Sequence, residues 1–148
     1  MLDLLEGADR TVRDFVACRA PFGHAQFTDG DKGFAIVNGH GRMVAGVVFS
    51  DWKPDFGSLE MSAVALNSCF ISPQIVAALG DYAFGKLSAN RVWSRTASKN
   101  HRATRLLKNL GFTSEGTAAD FYGVGRHAET FRMLKREWTD LTSQKEAA

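Results

Sequence analysis

Apolar positions change their spacing several times along the chain, and each change marks an element. In residues 8–19, Val12, Phe15 and Val16 recur at helical spacing with Arg19 on the same face, which predicts a short amphipathic helix. Pro21 and Gly23 stop it. Three β-rich runs follow at residues 34–37, 43–49 and 59–66. Asn38-Gly39 between the first two is a hairpin signal, because the mirror-image two-residue turns need positive φ. Pro54 and Gly57 break the chain before the third run, so the three strands read as an antiparallel meander.

The period then lengthens. Ser72-Pro73 reads as a helix N-cap followed by proline at the first helical position. Val76, Leu79, Ala83 and Leu87 share one face of a predicted helix over residues 72–87. Gly80 and Gly85 inside it each cost roughly 1 kcal/mol relative to alanine, which predicts close packing against a sheet. Residues 91–97 form another strand. Asn100 caps a second helix over residues 100–110, where Ala103, Leu106, Leu107 and Leu110 repeat at i, i+3, i+4 and i+7, and Gly111 ends it at C′. Residues 115–138 read as two strands around a turn at 122–126. The order α, βββ, α, β, α, ββ predicts an α/β (α+β) fold: a mixed, mostly antiparallel central sheet with helices on both faces. The strand–helix–strand unit over 59–97 supplies a parallel pair. Residues 1–138 read as a single domain and 139–148 as a flexible polar tail.

Composition narrows the class. The 148 residues suit one domain, and 45% hydrophobic against 23% charged residues is too apolar for disorder. No apolar run approaches the roughly 18 residues of a membrane helix, and the opening is acidic rather than basic, so no membrane contact and a cytoplasmic location are expected. A net charge of +2, with acids and bases interleaved, gives no expectation of nucleic acid. Cys18 and Cys69 are too few for a disulfide scaffold, and Cys69 has no His–carboxylate pattern around it. His24, His40, His101 and His127 are scattered, so no metal is expected.

One segment carries a family likeness. Residues 100–116 (NHRATRLLKNLGFTSEG) resemble the N-x-x-A/S … L-G-F … E-G block of the GNAT superfamily of acyl-CoA-dependent N-acyltransferases. Upstream, residues 45–52, Gly57 and residues 60–62 look like the branch common in phage and prophage genomes. Residues 132–138 fit the closing strand of that branch and of the ribosomal-protein acetyltransferases. The likeness spans residues 33–138.

The resemblance implies acetyl-CoA as co-substrate, a primary amine as acceptor, and a splayed strand pair, 59–66 against 91–97, that forms the cofactor cleft. Backbone groups of the splayed strand, Ala65 and Leu66 among them, would then take the pantetheine arm like an added strand, with a backbone N–H near Val64 at the oxyanion. The pyrophosphate would rest at the helix start formed by Ser72, Gln74, Ile75, Val76 and Ala77. Asn100 and Ala103 would meet the cofactor at the second helix, and Glu60 would act as base for the amine. This chain has residues 67–77, without glycine or arginine, where the family carries its glycine-rich pyrophosphate loop. Leu107 and Ala103 stand where relatives place a tyrosine or serine acid.

Plainer readings stand beside these. Glu60 also reads as a surface strand carboxylate, and Ser72 and Asn100 as simple caps. Arg91, Arg95, Arg102 and Arg105 read as contacts to the CoA 3′-phosphate or as a solvated basic face. Trp52, Phe56, Phe121 and Tyr122 read as an aromatic mouth on the acceptor side or as a homodimer patch. Two functions follow: an N-acetyltransferase acting on a primary amine, or a catalytically inactive GNAT-like binding or structural module.

Overall fold

The β-rich runs form the meander that their spacing predicts, inside a larger sheet. The computed structural model describes residues 2–19, 27–66 and 72–147. Its elements are β1 (Asp3–Leu5), α1 (Asp9–Arg19), β2 (Lys32–Val37), β3 (Met43–Lys53), β4 (Ser58–Ala65), α2 (Pro73–Gly80), β5 (Arg91–Ala97), α3 (His101–Asn109), β6 (Thr113–Ala118), β7 (Ala128–Leu134) and α4 (Lys135–Ala147). The sheet has seven strands in the order β1-β2-β3-β4-β5-β7-β6. All neighbours are antiparallel except β4 and β5, the expected parallel pair.

Strand alternation sorts the core into two layers. Phe34, Ile36, Val47, Phe49, Leu59 and Phe131 pack on the face covered by α2, α3 and α4. Ala35, Val37 and Val48 pack with Val12 and Val16 of α1 on the other. Helices on both faces are thus observed. α1 sits close because β2 offers it Gly33, where a Cβ would lie 2.8 Å from the Val12 Cβ.

Several boundaries differ from expectation. β1 was not predicted; its three residues pair with β2, Leu4 opposite Ile36. The Asn38-Gly39 turn is not a two-residue mirror-image turn. Gly41 N–H bonds the Asn38 carbonyl at 2.9 Å and Gly41 itself takes φ 75°, the three-residue loop with a left-handed third residue. The Asn38 side chain sets this by accepting from the amides of His40 and Arg42. α2 does not run evenly to residue 87; a π-helical turn, Asp81–Lys86, continues it. The last strand stops at Leu134, and Lys135–Ala147 is helical, whereas residues 135–138 were read as strand and 139–148 as tail. Trp138 explains the helix's seat: its ring stacks on Phe84 at 5.9 Å, and it packs with Leu141 against the main core. Pro21, Gly23, His24 and Cys69, with residues 67–71, lie outside the described residues.

The two helix glycines therefore differ. A Cβ on Gly80 would meet the Trp138 ring at 2.2 Å, while one on Gly85 would meet nothing within 4 Å. Gly80→Ala is expected to destabilise by about 1–3 kcal/mol through overpacking. Gly85→Ala should stabilise by up to about 1 kcal/mol. Urea unfolding of both variants checks the pair; equal effects would contradict this packing.

Candidate active site

β4 and β5 pair only at Ser58↔Arg91, Leu59↔Val92 and Glu60↔Trp93. Past that point β4 stays paired to β3 as far as Ala65, and β5 to β7 as far as Ala97, but not to each other. Between them opens a cleft of ≈ 610 Å³. Glu60 stands at the fork, the β4 backbone forms one wall, Ser94, Arg95 and Thr96 the other, and Asn100 and Ala103 of α3 lie beyond.

Alternation decides which backbone groups the cleft receives. The Leu66 amide donates to the Val44 carbonyl of the β3 segment at 2.9 Å, and Val64, two residues earlier, faces Gly46 of β3. Backbone groups of Ser62 and Val64 therefore turn to β3. The Arg91 amide donates to the Gly57 carbonyl at 3.1 Å, so the alternate set turns towards β5. Met61 belongs to that set and closes the last bonds to β5; past the Glu60–Trp93 pair, Ala63 and Ala65 direct N–H and C=O groups into the cleft where β5 no longer meets them.

Glu60 is half-buried, and burial raises its pKa from the ordinary 4.5. The Asp51 carboxylate adds to the rise, and the Arg95 guanidinium opposes it. Asp51 comes near because the β3–β4 register shifts between Ser50 and Lys53. Across the cleft, the loop between β6 and β7 supplies Phe121 and Tyr122. Hydrogen bonds tie that loop: the Tyr122 amide to the Arg126 carbonyl, the Asp120 amide to His127 Nδ1, and the Gly125 amide to Asp120 Oδ1. Burial raises the Tyr122 pKa above the ordinary 10, so the phenol is protonated at neutral pH. The other tyrosine, Tyr82, packs edge-on to Phe34.

At the start of α2, the helix's early amides are few. Pro73 has none, and the Val76 amide already bonds the Ser72 carbonyl at 3.0 Å. Gln74 and Ile75 keep N–H groups without an acceptor inside the helix. Ser72 occupies the N-cap position in extended conformation, but its hydroxyl meets Gln74 Oε1 at 2.7 Å instead of capping. Asn100 does cap α3, its Oδ1 accepting from the Ala103 amide at 3.1 Å. Among the described residues, no group of His, Cys, Asp and Glu is arranged to hold a metal, and no helix is long and apolar enough to cross a membrane.

Residues 7–113 match the acetyltransferase (GNAT) domain family. The chain belongs to this family. No curated protein sequence matches it. The GNAT fold is seen again in solved structures. Spermidine/spermine N-acetyltransferase SpeG from Vibrio cholerae, in complex with manganese ions, has a TM-score of 0.74 at 13% identity, covering 94% of this chain and 95% of that one. Spermidine N-acetyltransferase from Vibrio cholerae, in complex with CoA and spermine, has 0.73 at 13% identity, with 93% and 98% covered. A probable acetyltransferase reaches 24% identity with a TM-score of 0.61, covering 73% of this chain and 64% of that one. At these identities the likeness is one of fold.

Within the GNAT domain, Glu60, Val64, Ala65, Asn100 and Ala103 line the cleft. Leu66, Ser72 and residues 74–77 are not among the lining residues. The N–H of Val64 itself turns to β3, and the amides on either side of it, those of Ala63 and Ala65, turn into the cleft. The Leu66 N–H is likewise taken, by Val44. At α2, Val76 and Ala77 lie where N–H groups bond back along the helix, which leaves Gln74 and Ile75, and the Ile75 side chain is buried in the core. Trp93 carries no reading in the sequence, and Arg95 reads there as a CoA 3′-phosphate contact or basic face rather than as part of the cleft wall beside Glu60. Strand parity held the signal: residues 93 and 95 share the face of Glu60 once β4 and β5 are parallel. Of the aromatic mouth, Phe121 and Tyr122 reach the cleft. Trp52 packs against the core and Phe56 is 67% exposed.

The raised Glu60 pKa has a thermodynamic sign. The folded protein holds this proton more tightly than the unfolded chain, so stability present below the ordinary carboxylate pKa is lost as pH rises through the folded value. Glu60→Gln is therefore expected to raise the urea midpoint at about pH 8 and to gain much less at about pH 4. Equal changes at the two pH values would contradict the burial of charge at this position.

Proposed function

We propose that this GNAT domain transfers an acetyl group from acetyl-CoA to a primary amine by direct attack on the thioester. The observation that carries the reading is the fork itself: a half-buried carboxylate at the point where two parallel strands part, next to backbone amides that no strand receives. In this reading the pantetheine arm runs along β4 and bonds to Ala63 and Ala65 like an added strand. The pyrophosphate meets the Gln74 and Ile75 amides at the α2 start, where the helix dipole favours anions.

An alkylamine is mostly protonated at neutral pH, and only its neutral form has the lone pair that attacks. Glu60, directly or through water, takes the proton, and its raised pKa suits that exchange. The amine nitrogen forms a bond to the acetyl carbon, the C–S bond breaks, and the nitrogen gives up a second proton to solvent as the amide forms. An amide aimed into the cleft, that of Ala63, stabilises the charge that develops on the carbonyl oxygen. The thiolate leaves with a pKa near about 8.5 and takes a proton from solvent or from Tyr122, the cleft's protonated phenol. The solved neighbours named as spermidine N-acetyltransferases, one of them solved with CoA and spermine, support an amine acceptor and CoA chemistry on this fold. Leu107 and Ala103 at the usual acid positions favour the second reading, a GNAT-like module without turnover.

Acetyl-CoA at about 100 times its Kd adds about 2.7 kcal/mol, which should raise Tm by about 5–10 °C for a domain of this size. Gln74→Pro removes one of the two α2 amides and should shrink that shift far more than it lowers the Tm of the free protein. No shift at millimolar acetyl-CoA would support the module without turnover.

Glu60→Gln should lower turnover about 10²–10⁴-fold with little change in acetyl-CoA affinity. The loss should narrow as pH rises and free amine becomes abundant. Rates measured from pH 6 to 9 on a primary amine that the protein acetylates check it. Unchanged turnover across that range would make Glu60 an ordinary strand carboxylate.

A further inference from the structure

Arg95 is a cation set into the cleft wall, with no carboxylate in salt-bridge contact among the described residues. It stands two residues past Trp93 on β5 and shares that residue's face, the face of Glu60. Its guanidinium carbon lies 5.0 Å from the Trp93 ring centroid and 4.3 Å from that of Phe121. Its Nε donates to Thr130 Oγ1 at 3.4 Å on the neighbouring strand. The other arginines along this sheet are neutralised: Arg91 pairs with Glu115, and Arg132 meets Glu115 and Glu137. None of the salt bridges among the described residues includes Arg95. Its charge is nevertheless felt in the cleft, where it opposes the rise in pKa of both Glu60 and Tyr122.

A guanidinium flanked by aromatic rings is held in orientation, while its five N–H donors lie at the planar edge. Here the rings and Thr130 account for the faces and for Nε. The two Nη groups remain to form the paired bonds that a carboxylate accepts. A polyamine brought to the same spot would set a second cation beside this one, with Glu60 the single carboxylate among the lining residues.

We propose that Arg95 reads a carboxylate on the acceptor, so that the acceptor is a small amine carrying an acid group, an amino acid in the simplest case, rather than a polyamine. This rests on the acetyl-transfer reading. Arg95 is then a specificity residue: it binds the acid end while Glu60 serves the amine end, and Trp93 and Phe121 keep the guanidinium in register. Lysine cannot replace it, because a point ammonium lacks both the planar stack and the paired donors.

The test is initial rates of CoA release from acetyl-CoA with matched acceptors: glycine, alanine and phenylalanine against methylamine, ethylamine and phenethylamine, with spermidine as a third arm. Wild type, Arg95→Gln and Arg95→Lys are compared. Wild type is expected to favour the amino acids by about 10- to 100-fold in kcat/KM. Both variants should lose that preference, read as the ratio of kcat/KM between each amino acid and its matched amine, whatever the change in absolute rate. Equal wild-type rates on both series, a preference for spermidine, or a preference that survives Arg95→Gln would overturn the assignment and leave acetyl transfer standing. If no amine is acetylated, the transfer reading fails, and calorimetry with N-acetylglycine and N-acetylphenylalanine still decides the site. Saturable binding lost in Arg95→Gln supports it, and no binding overturns it.

Discussion

A sheet that parts in its middle leaves backbone N–H and C=O groups facing a gap, and buried groups of that kind need partners. In this protein the gap cannot close, because each wall is packed in place from behind. β4 is paired to β3 from Glu60 to Ala65, the stretch that borders the gap, and β5 to β7 throughout. Val64 packs under α1 on one face, while Ala63 and Ala65 pack against the larger core on the other. The parting therefore depends on side-chain packing on both faces of the sheet. What enters must satisfy an open strand edge inside the protein, a demand met by an extended chain with amide groups.

The same geometry concentrates charge. At the fork, β4 and β5 still hold register for three residue pairs, so Glu60 and Trp93 sit side by side and Arg95 follows on the same face. Half-burial raises the carboxylate's pKa, and the shift is kept in check by Arg95, itself held between Trp93 and Phe121. One loop, tied by Asp120 and His127, brings both Phe121 and Tyr122 to this point. A carboxylate, a phenol and a guanidinium share the cleft, although they come from strands and a loop far apart in the chain.

Much of the frame was legible from spacing alone: the meander, the parallel pair across a helix, and two helices starting after Ser72 and Asn100, of which only Asn100 caps with its side chain. The departures have local causes. The Asn38 side chain bonds two following amides and so selects a longer turn than Asn-Gly suggests. α4 shows only Trp138 and Leu141 as an apolar pair, too sparse to stand out as a helix, yet Trp138 closes the core over Gly80. In the site, Glu60 and Asn100 could be found from a family motif, while the direction of each β4 amide could not. That direction depends on parity relative to β3, and the parity turns the Ala63 and Ala65 amides into the cleft and the Val64 amide to β3. Arg95 was legible as a charge but not as a stacked one, since Phe121 reaches it from another strand connection.

Residue-resolved amide hydrogen exchange, with and without saturating acetyl-CoA, tests the central claim that the parted strands receive the cofactor as an added strand. In the free protein, Val64 should exchange slowly, bonded to β3, and Ala63 and Ala65 faster. On adding acetyl-CoA, Ala63 and Ala65 should gain protection while Val64 changes little. Binding that leaves Ala63 and Ala65 as fast as before would contradict the account.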